Sequence, residues 1–329
     1  MNKVLITCRV CNSQSQQEYL STIDFNQEKS DDQFKYYRCC NCRSIFIYPI
    51  PNNLSLFYRQ DYPAYSVKNS SKIESNLKYL ETAKLEIVKQ HVSSGKLIEI
   101  GPAAGRFLTV ANGAGFDVFG IEQDTSCAAH ISNTLKLQVA CSDKPTDELK
   151  KLASCCDVVV AWHVIEHLQD LRGFSTSASK ALRGPNSVVI VSAPNPESWS
   201  FKIFGRYWVH LDAPRHLTLI PLQALDKLMA DQGLKRISCV FNDPVGLQLN
   251  KMGWQKSLMN LSSSIKLREK LLIRLGRLLS IAMAMCEKIP GRGAAYTVTY
   301  KKIEDFNNSI EARETLHNSS SCVLDVSPS

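Results

Sequence analysis

The 329-residue sequence has little that points to export, to membrane insertion or to a repeat architecture. Its first ten residues carry one Lys and a short apolar run broken by Cys8 and Arg9, which is not the pattern of a secretory signal. The leucine-rich stretch nearer the C-terminus is interrupted by Arg274 and Arg277, so it is too short to span a bilayer. We therefore expect a cytoplasmic protein whose twelve cysteines are metal ligands or small buried apolar residues, not disulfides.

Four of the cysteines form two CxxC pairs near the N-terminus. Each CxxC turn supplies two thiolates from one tight bend, and structural zinc prefers four such ligands in a tetrahedron. We expect residues 1–48 to form a zinc ribbon with Cys8, Cys11, Cys39 and Cys42 as ligands, Cys40 being an alternative to Cys39. Four protein ligands leave no open position, so no catalysis is assigned to this zinc. The competing interpretation is a ribbon that has lost its metal and keeps free thiols.

Apolar runs alternate with helical patterns over the middle of the chain. Strands are expected at 97–100, 117–121, 157–161, 188–192, 237–241 and 294–300, and helices at 105–114, 125–135, 171–182 and 222–232. This alternation predicts an α/β protein with a Rossmann-like, doubly wound, mostly parallel sheet that is buried on both faces. The expected division is a linker and leading helix over 49–94, a main domain over 95–302, a helical basic insert over 242–293 within it, and a disordered tail over 303–329.

A glycine-containing loop follows the first strand of the main domain. Gly101 allows a tight turn there, and Gly105 lets the backbone approach a ligand closely. The loop lacks the third glycine of a dinucleotide-binding GxGxxG motif, and Glu99 would repel a pyrophosphate but suits an amino-acid ammonium group. Glu122 ends the second strand, where a carboxylate can accept both hydroxyls of a ribose. The pattern favours a cofactor with these two groups over a structural turn flanked by surface acids.

The segments EIGPAAGRFL, GIEQD and DVVVAWHVIEHLQD resemble class I methyltransferases that use S-adenosylmethionine. Over roughly residues 5–302 the chain is similar to a bacterial methyltransferase-23-like group with an N-terminal zinc ribbon, often found in surface-polysaccharide or modified-sugar pathways. The closer resemblance lies in YRCCNCRSIFIYPIP (37–51) and PRHLTLI (214–220). Ala103 and Arg43 depart from it, because many members have Gly there; Arg43 must adopt a conformation that Gly adopts more easily.

The resemblance implies the cofactors S-adenosyl-L-methionine and structural Zn²⁺, and it implies cofactor contacts residue by residue. The methionine end would be lined by Glu99, Gly101, Ala103 and Gly105, the ribose held by Glu122, the adenine amine met by Asp143, and the sulfonium and its methyl flanked by Trp162 and His163.

The sequence HVIEH spaces His163, Glu166 and His167 so that all three would share one face of a helix. Three interpretations compete. The first is an inverted zinc-peptidase motif. The second is a magnesium site like that of ubiquinone-pathway O-methyltransferases, in which His163 would replace an acid. The third, which we favour, is that Glu166 and His167 orient the loop while His163 faces the cofactor cleft.

A second histidine-containing segment follows the strand at 188–192. Methyl transfer to a hydroxyl or a carbon acid requires removal of a proton, and His210 or His216 could be that base. Asp212 would orient the base, and Arg215 would bind an anionic group of the substrate. The alternative is a hydrogen-bonded turn that closes the pocket.

The chain's excess of positive charge lies in one segment. From Asn250 to Lys302, eleven Lys and Arg stand against Glu269 and Glu287, which gives +9, while the whole chain has +8. The apolar residues Leu267, Leu271, Leu275, Leu278 and Ala282 fall on one face of a helix, widened by Leu272 and Leu279. This basic amphipathic helix is interpreted as a lid over the acceptor site, as a contact with an anionic membrane, or as a solvated or dimer surface.

These observations predict S-adenosylmethionine-dependent methyl transfer to O or C of a small-molecule, sugar or lipid-linked glycan acceptor, with His163, His210 and His216 as candidate catalytic residues. The protein would be cytoplasmic, with the option of peripheral contact at the inner membrane face. The alternatives are a ribosomal-RNA base methyltransferase and a non-catalytic scaffold. Nucleic acid is not expected, because the basic segment is leucine-rich and not interleaved with aromatics. The oligomeric state is left open.

Overall fold

The computed structural model describes residues 6–28, 30–58, 71–261 and 266–303, with only the backbone described for 71–76 and 266–270. The expected disordered tail lies outside the described residues apart from Ile303, as does the 59–70 part of the expected linker. In chain order the elements are β1 (Gln16–Thr22), β2 (Phe34–Cys39), β3 (Ile45–Ile47), α1 (Ser71–Lys89), β4 (Gly95–Ile100), α2 (Arg106–Gly113), β5 (Phe116–Glu122), α3 (Thr125–Asn133), β6 (Gln138–Cys141), α4 (Pro145–Lys151), β7 (Val158–Trp162), α5 (Leu171–Ala181), β8 (Val188–Pro194), α6 (Trp199–Phe204), β9 (Thr218–Leu219), α7 (Leu222–Ala230), β10 (Leu234–Val240), α8 (Pro244–Asn260), α9 (Lys266–Glu287) and β11 (Ala295–Lys302).

The main sheet has seven strands in the order β10, β11, β8, β7, β4, β5, β6. β11 runs antiparallel to both of its neighbours, and the other pairs are parallel. Helices α1, α2 and α3 pack on one face, while α4, α5 and α7 pack on the other. The apolar runs of β7 and β8 are therefore buried along their whole length. This confirms the predicted α/β fold with a doubly wound, mostly parallel sheet.

The order of the strands also locates the candidate site. β4 lies between β5 and β7, and these three strands run parallel, so their carboxyl ends meet at one edge of the sheet. After β4 the chain adds β5 and β6 on one side of it, and then β7 and β8 on the other side. Ligands of open α/β sheets bind at such a switch point. The glycine loop, Glu122 and the HVIEH segment all follow these strand ends.

A second, four-stranded sheet has the order β1, β2, β3, β9. Its first three strands come from the N-terminal segment, but β9 comes from the loop after α6, and Ile45 pairs with Leu219. The side chain of Arg9 also donates hydrogen bonds to the carbonyl oxygens of Leu217 and Ile47, at 3.0 and 2.8 Å. The N-terminal segment is thus joined to the main domain by a shared sheet as well as by packing.

The segment between β10 and β11 folds as the helical pair α8 and α9. At Gly276 of α9, an added Cβ would lie 2.7 Å from the Cα of Gln255, so a small residue is required where the helices cross. Near the end of α9, the buried Glu287 accepts a hydrogen bond of 2.7 Å from the indole nitrogen of Trp254. This close crossing and the buried hydrogen bond fix α9 against α8.

The apolar stripe expected on this segment faces away from α8. The large apolar residues of α9 that are exposed are Leu271, Leu275, Leu278, Leu279, Ile281 and Met285. The side chain of Leu267, which begins the predicted stripe, lies outside those that the structure describes. α8 contacts the loop that carries His210, since Nε2 of His210 lies 2.9 Å from the carbonyl oxygen of Leu249. Among the described helices, none is both long and apolar enough to cross a membrane.

Candidate active site and four-cysteine centre

The loop after β4 has the backbone conformation that glycine favours. The φ angle is 67° at Gly101, 51° at Ala103 and 72° at Gly105, all in the left-handed region. A Cβ on Gly101 would lie 2.7 Å from Val164, and one on Gly105 would lie 2.8 Å from Ile131. Larger residues at these two positions would displace the loop, and α2 begins directly after it.

Glu122, at the end of β5, is tied to the same loop. Its carboxylate accepts one hydrogen bond of 2.7 Å from the N–H of Ala103 and another of 2.8 Å from the N–H of Asp124. Burial raises the pKa of this carboxyl, although the amide hydrogen bonds act in the opposite direction. A carboxylate has about four lone-pair sites. Its remaining acceptor capacity is suited to hydroxyl donors of a ligand.

Glu99, on β4, is a buried carboxyl group with an unsatisfied oxygen. The residue is 3% exposed, and its Oε2 has no hydrogen-bond partner among the described residues. Burial raises the pKa of Glu99 well above its ordinary value, and the nearby Lys84 acts in the opposite direction. An unsatisfied buried carboxyl is costly unless a ligand supplies a donor or a cation. An α-ammonium group would do so, and the residues present therefore fit the amino-acid end of S-adenosylmethionine.

Helix α1 contributes to this region in a way that the sequence did not indicate. Its Lys84 forms an ion pair of 2.9 Å with Glu81, and both side chains are largely buried. The Lys84 ammonium also lies 5.7 Å from the ring centroid of Trp162. Acid–base pairs three residues apart are common on exposed helix faces. The spacing of this pair therefore gave no sign that it lies beside the cofactor loop.

The remaining predicted cofactor residues lie at the same edge of the sheet. Trp162 is buried, and its ring packs edge-on against Phe107 with the centroids 5.4 Å apart, so it supports the loop from the core. His163 follows with φ 57° and a side chain that is 26% exposed. Asp143 is exposed just beyond β6, whose Cys141 pairs with Glu122. Their roles toward a cofactor remain predictions.

The HVIEH segment forms a short 3₁₀ turn, Ile165–His167, so the helix that an inverted zinc-peptidase motif requires is not formed. Glu166 is 1% exposed, and its Oε1 lies 3.7 Å from Nδ1 of His163 and 4.0 Å from Nε2 of His216. Burial acts to raise the pKa of Glu166, but the neighbouring histidines outweigh it, so the pKa lies below its ordinary value. The structure thus adds His216, from a distant segment, to the three residues that the sequence grouped.

His210 and His216 are both buried, but only His216 reaches this cluster. Nε2 of His210 lies 2.9 Å from the carbonyl oxygen of Leu249 on α8, whereas Nε2 of His216 lies 4.0 Å from Oε1 of Glu166. Burial lowers the pKa of His210 to about 4, which keeps the ring neutral at physiological pH. Nδ1 of His216 lies 2.8 Å from the carbonyl oxygen of His210. His210 therefore supports the loop, and its Nε2 is committed to α8 in this conformation.

The expectation that Arg215 binds an anionic group of the substrate is wrong. Arg215 is 0% exposed, and its guanidinium lies between two carboxylates, with Nη2 2.6 Å from Asp24 and 2.7 Å from Asp212. Its Nη1 also donates to the carbonyl oxygen of Phe57, at 3.0 Å. Because these partners come from the N-terminal segment and the loop itself, Arg215 joins two parts of the fold. Asp212 is likewise held by its ion pair with Arg215, although its Oδ2 is 3.9 Å from Nε2 of His216.

The four cysteines of the two CxxC pairs form a compact centre. Their Sγ atoms all lie within 4.8 Å of one another; the pairs Cys8–Cys42 and Cys11–Cys39 are separated by 3.6 and 3.5 Å. Cys40 is exposed and lies outside the group, so Cys39 is the residue that completes the centre. Four sulfur atoms in this arrangement are compatible with a tetrahedral zinc ion.

The two cysteine turns have matching backbones. After the first pair, the N–H of Asn12 donates to the carbonyl oxygen of Cys8 at 2.9 Å; after the second, Arg43 donates to that of Cys39 at 3.0 Å. Both Asn12 and Arg43 have positive φ, 58° and 64°. The expectation that Arg43 adopts a conformation favoured by Gly is therefore confirmed. Asn tolerates it more readily than Arg, which has no short side chain to hydrogen-bond locally.

Solved structures of several methyltransferases are similar to this chain. An Archaeoglobus fulgidus SAM-dependent methyltransferase has 19% identity and a TM-score of 0.48, covering 68% of this chain and 94% of its own. A geranyl diphosphate C-methyltransferase from Streptomyces coelicolor A3(2), in complex with Mg²⁺, geranyl diphosphate and S-adenosyl-L-homocysteine, has 15% identity and a TM-score of 0.48, covering 73% and 87%. A coclaurine N-methyltransferase bound to N-methylheliamine and SAH has 13% identity and a TM-score of 0.45, covering 78% and 80%.

A search of curated proteins finds no significant match to the chain. A family model gives the assignment. Residues 72–238, just over half of the chain, match the model described as a methyltransferase domain. This span contains the glycine loop, both acidic strand ends and the HVIEH segment. The chain therefore belongs to this methyltransferase family and is an S-adenosylmethionine-dependent methyltransferase.

Proposed function

We propose that the protein transfers the methyl group to an oxygen or carbon atom of a small-molecule acceptor, a sugar or a lipid-linked glycan, with His163 as general base. The observation that carries this proposal is the position of His163 directly after β7. Its imidazole is partly exposed while the Glu166 carboxylate lies buried 3.7 Å from Nδ1. The adjoining Val164 packs against Gly101 of the cofactor loop. The base is thus beside the methionine end of the cofactor site.

When bound, S-adenosylmethionine supplies an electrophilic methyl group on its sulfonium. Glu99 would hold its ammonium group and Glu122 its ribose, and both residues lie toward the carboxyl ends of their strands. His163 accepts the proton of the acceptor at Nε2, because Nδ1 faces Glu166. The Glu166 carboxylate stabilises the imidazolium that this transfer creates. Oxygen and carbon acids require such a base because they are weak nucleophiles while protonated.

Replacing His163 with Gln is expected to lower kcat by ~10²-fold, as is usual when a general base is removed. The affinity for S-adenosylhomocysteine should change by less than about threefold, because the side chain does not hold the ribose or the ammonium group. The measurement is transfer of a labelled methyl group to a panel of nucleotide sugars and lipid-linked glycans, beside calorimetric titration with S-adenosylhomocysteine.

The matched control is His91→Gln, which removes an imidazole that follows α1 and precedes β4, at the opposite edge of the sheet. It should leave kcat and the affinity for S-adenosylhomocysteine at their wild-type values. An unchanged kcat in His163→Gln would exclude this residue as the base. Failure of the wild type to bind S-adenosylhomocysteine would contradict the cofactor site itself.

We further propose that α9 contacts an anionic membrane surface, which would bring a lipid-linked acceptor to the site. Its outward face combines leucines with the exposed Arg274 and Arg277. Such a helix binds by burying its apolar side chains while its cations attract anionic lipids. The opposite face is occupied by α8, which leaves the outward stripe as the one that a bilayer would cover.

Binding to vesicles tests this surface. The protein should sediment with vesicles that contain phosphatidylglycerol, less with pure phosphatidylcholine, and less again at high salt. Leu278→Glu, on α9, should weaken binding about tenfold or more, because a buried leucine contributes roughly 1.5–3 kcal/mol. Leu56→Glu, at a similarly exposed position outside α9, is the control. Equal binding by both variants would place the contact elsewhere, and no binding by the wild type would refute it.

The four-cysteine centre is proposed to hold a structural zinc ion. Its sulfur atoms are already grouped, and the position of β9 makes the surrounding sheet continuous with the loop that carries His216. The metal would therefore stabilise the loop behind the active site without taking part in chemistry.

A further inference from the structure

We propose a second metal site, for a divalent cation of the zinc class, formed by Glu166, His167 and His216. Among the described parts of the chain, two groups of three or more side chains could hold a metal ion. One is the four-cysteine centre, and these three residues are the other. One potential ligand atom from each residue lies within 4.8 Å of those of the other two. The three come from two separate segments, the turn after β7 and the loop before β9.

Both imidazoles are oriented as metal-binding histidines usually are. Nδ1 of His167 lies 3.0 Å from the carbonyl oxygen of Arg215, and Nδ1 of His216 lies 2.8 Å from that of His210. Because a carbonyl oxygen only accepts, Nδ1 of His216 carries the hydrogen and its Nε2 keeps a lone pair. Nδ1 of His167 also lies 3.0 Å from the hydroxyl of Tyr58, which can either accept or donate a hydrogen bond there. A ligating histidine almost always donates its other N–H to such an oxygen, which fixes its tautomer and ring orientation.

Glu166 provides the independent observation that a ligand is required. It is 1% exposed, and neither carboxylate oxygen accepts a hydrogen bond from any part of the chain that the structure describes. Imidazole nitrogens of His163 and His216 lie 3.7 and 4.0 Å from its Oε1, beyond hydrogen-bond length. A buried carboxylate without partners is strongly unfavourable. A cation held between it and a ring nitrogen of each of His167 and His216 would remove that cost.

The dimensions and chemistry of the donors define the metal. In a tetrahedral site, donors at ~2.0–2.2 Å from the metal lie about 3.3–3.6 Å apart. The side chains would therefore have to close on the metal from spacings of up to 4.8 Å. Two imidazoles and one carboxylate suit Zn²⁺, Co²⁺ or Fe²⁺, whereas Mg²⁺ prefers oxygen ligands throughout. This set differs from the magnesium interpretation of HVIEH, because His216 replaces His163 as the third ligand.

Three protein ligands leave at least one coordination position open. His163 lies next to the proposed site, since its Nδ1 is 3.7 Å from the Glu166 carboxylate. The open position would take water or an oxygen of the acceptor, and the metal would lower the pKa of that oxygen. The site would thus act on the acceptor, and it is separate from the residues that hold the cofactor.

Titration of metal-free, tag-free protein with Co²⁺ tests the proposal, because Co²⁺ reports its ligands spectroscopically. We expect two equivalents to bind: one with the near-ultraviolet charge-transfer band of a thiolate site, and one with weak visible bands only. Glu166→Gln and His216→Gln should each weaken the second equivalent at least about tenfold. Both should keep the thiolate band, which shows that the ribbon is folded. His91→Gln should bind both equivalents as the wild type does.

A wild type that saturates at one equivalent, with only the thiolate band, would overturn the proposal. So would two equivalents of wild-type affinity in Glu166→Gln. In either case Glu166 would not be a metal ligand. Titration of the same samples with S-adenosylhomocysteine keeps the outcomes distinct, since loss of the metal should leave cofactor affinity within about threefold.

Discussion

Glu122→Ala is expected to weaken the binding of S-adenosylhomocysteine by ~10²–10⁴-fold. A hydrogen bond to a charged group contributes about 1.5–3 kcal/mol, and the ribose has two hydroxyl groups for this carboxylate. The side chain also accepts the N–H groups of Ala103 and Asp124, so its removal loosens the cofactor loop. Both effects act in the same direction. Isothermal titration calorimetry measures the change directly.

Two further variants separate these effects. Glu122→Gln keeps one acceptor for the loop but loses the charge, so we expect it to bind more tightly than Glu122→Ala and less tightly than the wild type. Asp117→Ala removes an exposed carboxylate from the same strand and should bind normally. If Asp117→Ala lost as much affinity as Glu122→Ala, the loss would come from the change in net charge of the protein. It would not then show that Glu122 contacts the cofactor.

The buried Glu99 should make cofactor binding depend on pH. Burial raises the pKa of Glu99 in the free protein, so the carboxyl is protonated over part of the range in which an ordinary glutamate is ionised. An ammonium ligand favours the ionised form, and its affinity should therefore rise as the pH increases through the raised pKa. Glu99→Gln should remove this dependence and lower the affinity. Titrations in buffers of different ionisation enthalpy will show whether a proton is released.

Arg215→Met is expected to destabilise the protein by about 3–5 kcal/mol, the usual cost of breaking a buried ion pair. The substitution removes the guanidinium from between Asp24 and Asp212 and leaves two carboxylates without their cation. Asp24→Asn should cost less, because Asp212 still neutralises the arginine. Equilibrium unfolding in urea measures both. The control is Arg183→Met, whose ion pair with Asp157 involves an arginine side chain that is 58% exposed and should contribute below about 1 kcal/mol.

The ion pairs of Arg215 with Asp24 and Asp212 also make the stability of the protein depend on pH in the acid range. Burial acts to raise the pKa of Asp212, but its hydrogen bond with Arg215 outweighs this and lowers the pKa to about 2. The folded-state pKa is therefore below the unfolded value of about 4. The stabilisation is fully present above the unfolded value and is lost as the pH falls toward 2. The free energy of unfolding, measured in urea at one temperature and a series of pH values, should fall over this range in the wild type. The fall should be smaller in Arg215→Met.

Local sequence patterns predicted the main sheet well, because its central strands are short apolar runs bounded by turns. β7 and β8 are examples, since burial on both faces makes them apolar throughout. β6 has the sequence QVAC with no fully buried residue, so it had no such signature and was missed. The acids at the ends of β4 and β5 were identified because a charged residue at the end of a buried strand is unusual.

Contacts between distant segments could not be predicted in this way. The sequence suggested an external partner for Arg215, but its partner Asp24 is 191 residues away and nothing local relates the two. His216 and Glu166 come together only because the loop after α6 returns to the sheet. The leucines of α9 show a further limit. Helical periodicity identifies an apolar face, but it does not tell whether that face meets the core or lies outside it.

The pairing of β3 with β9 gives this protein a particular order of assembly during synthesis. The N-terminal strands leave the ribosome first, but β9, which completes their sheet, is made roughly 170 residues later, or about 10–35 s at 5–20 residues per second. Until then the edge of β3, with its apolar Ile45 and Phe46, is open to other chains. Early metal uptake by the cysteines would order this segment during that interval. Zinc supply would then affect the yield of soluble protein as well as the stability of the finished fold.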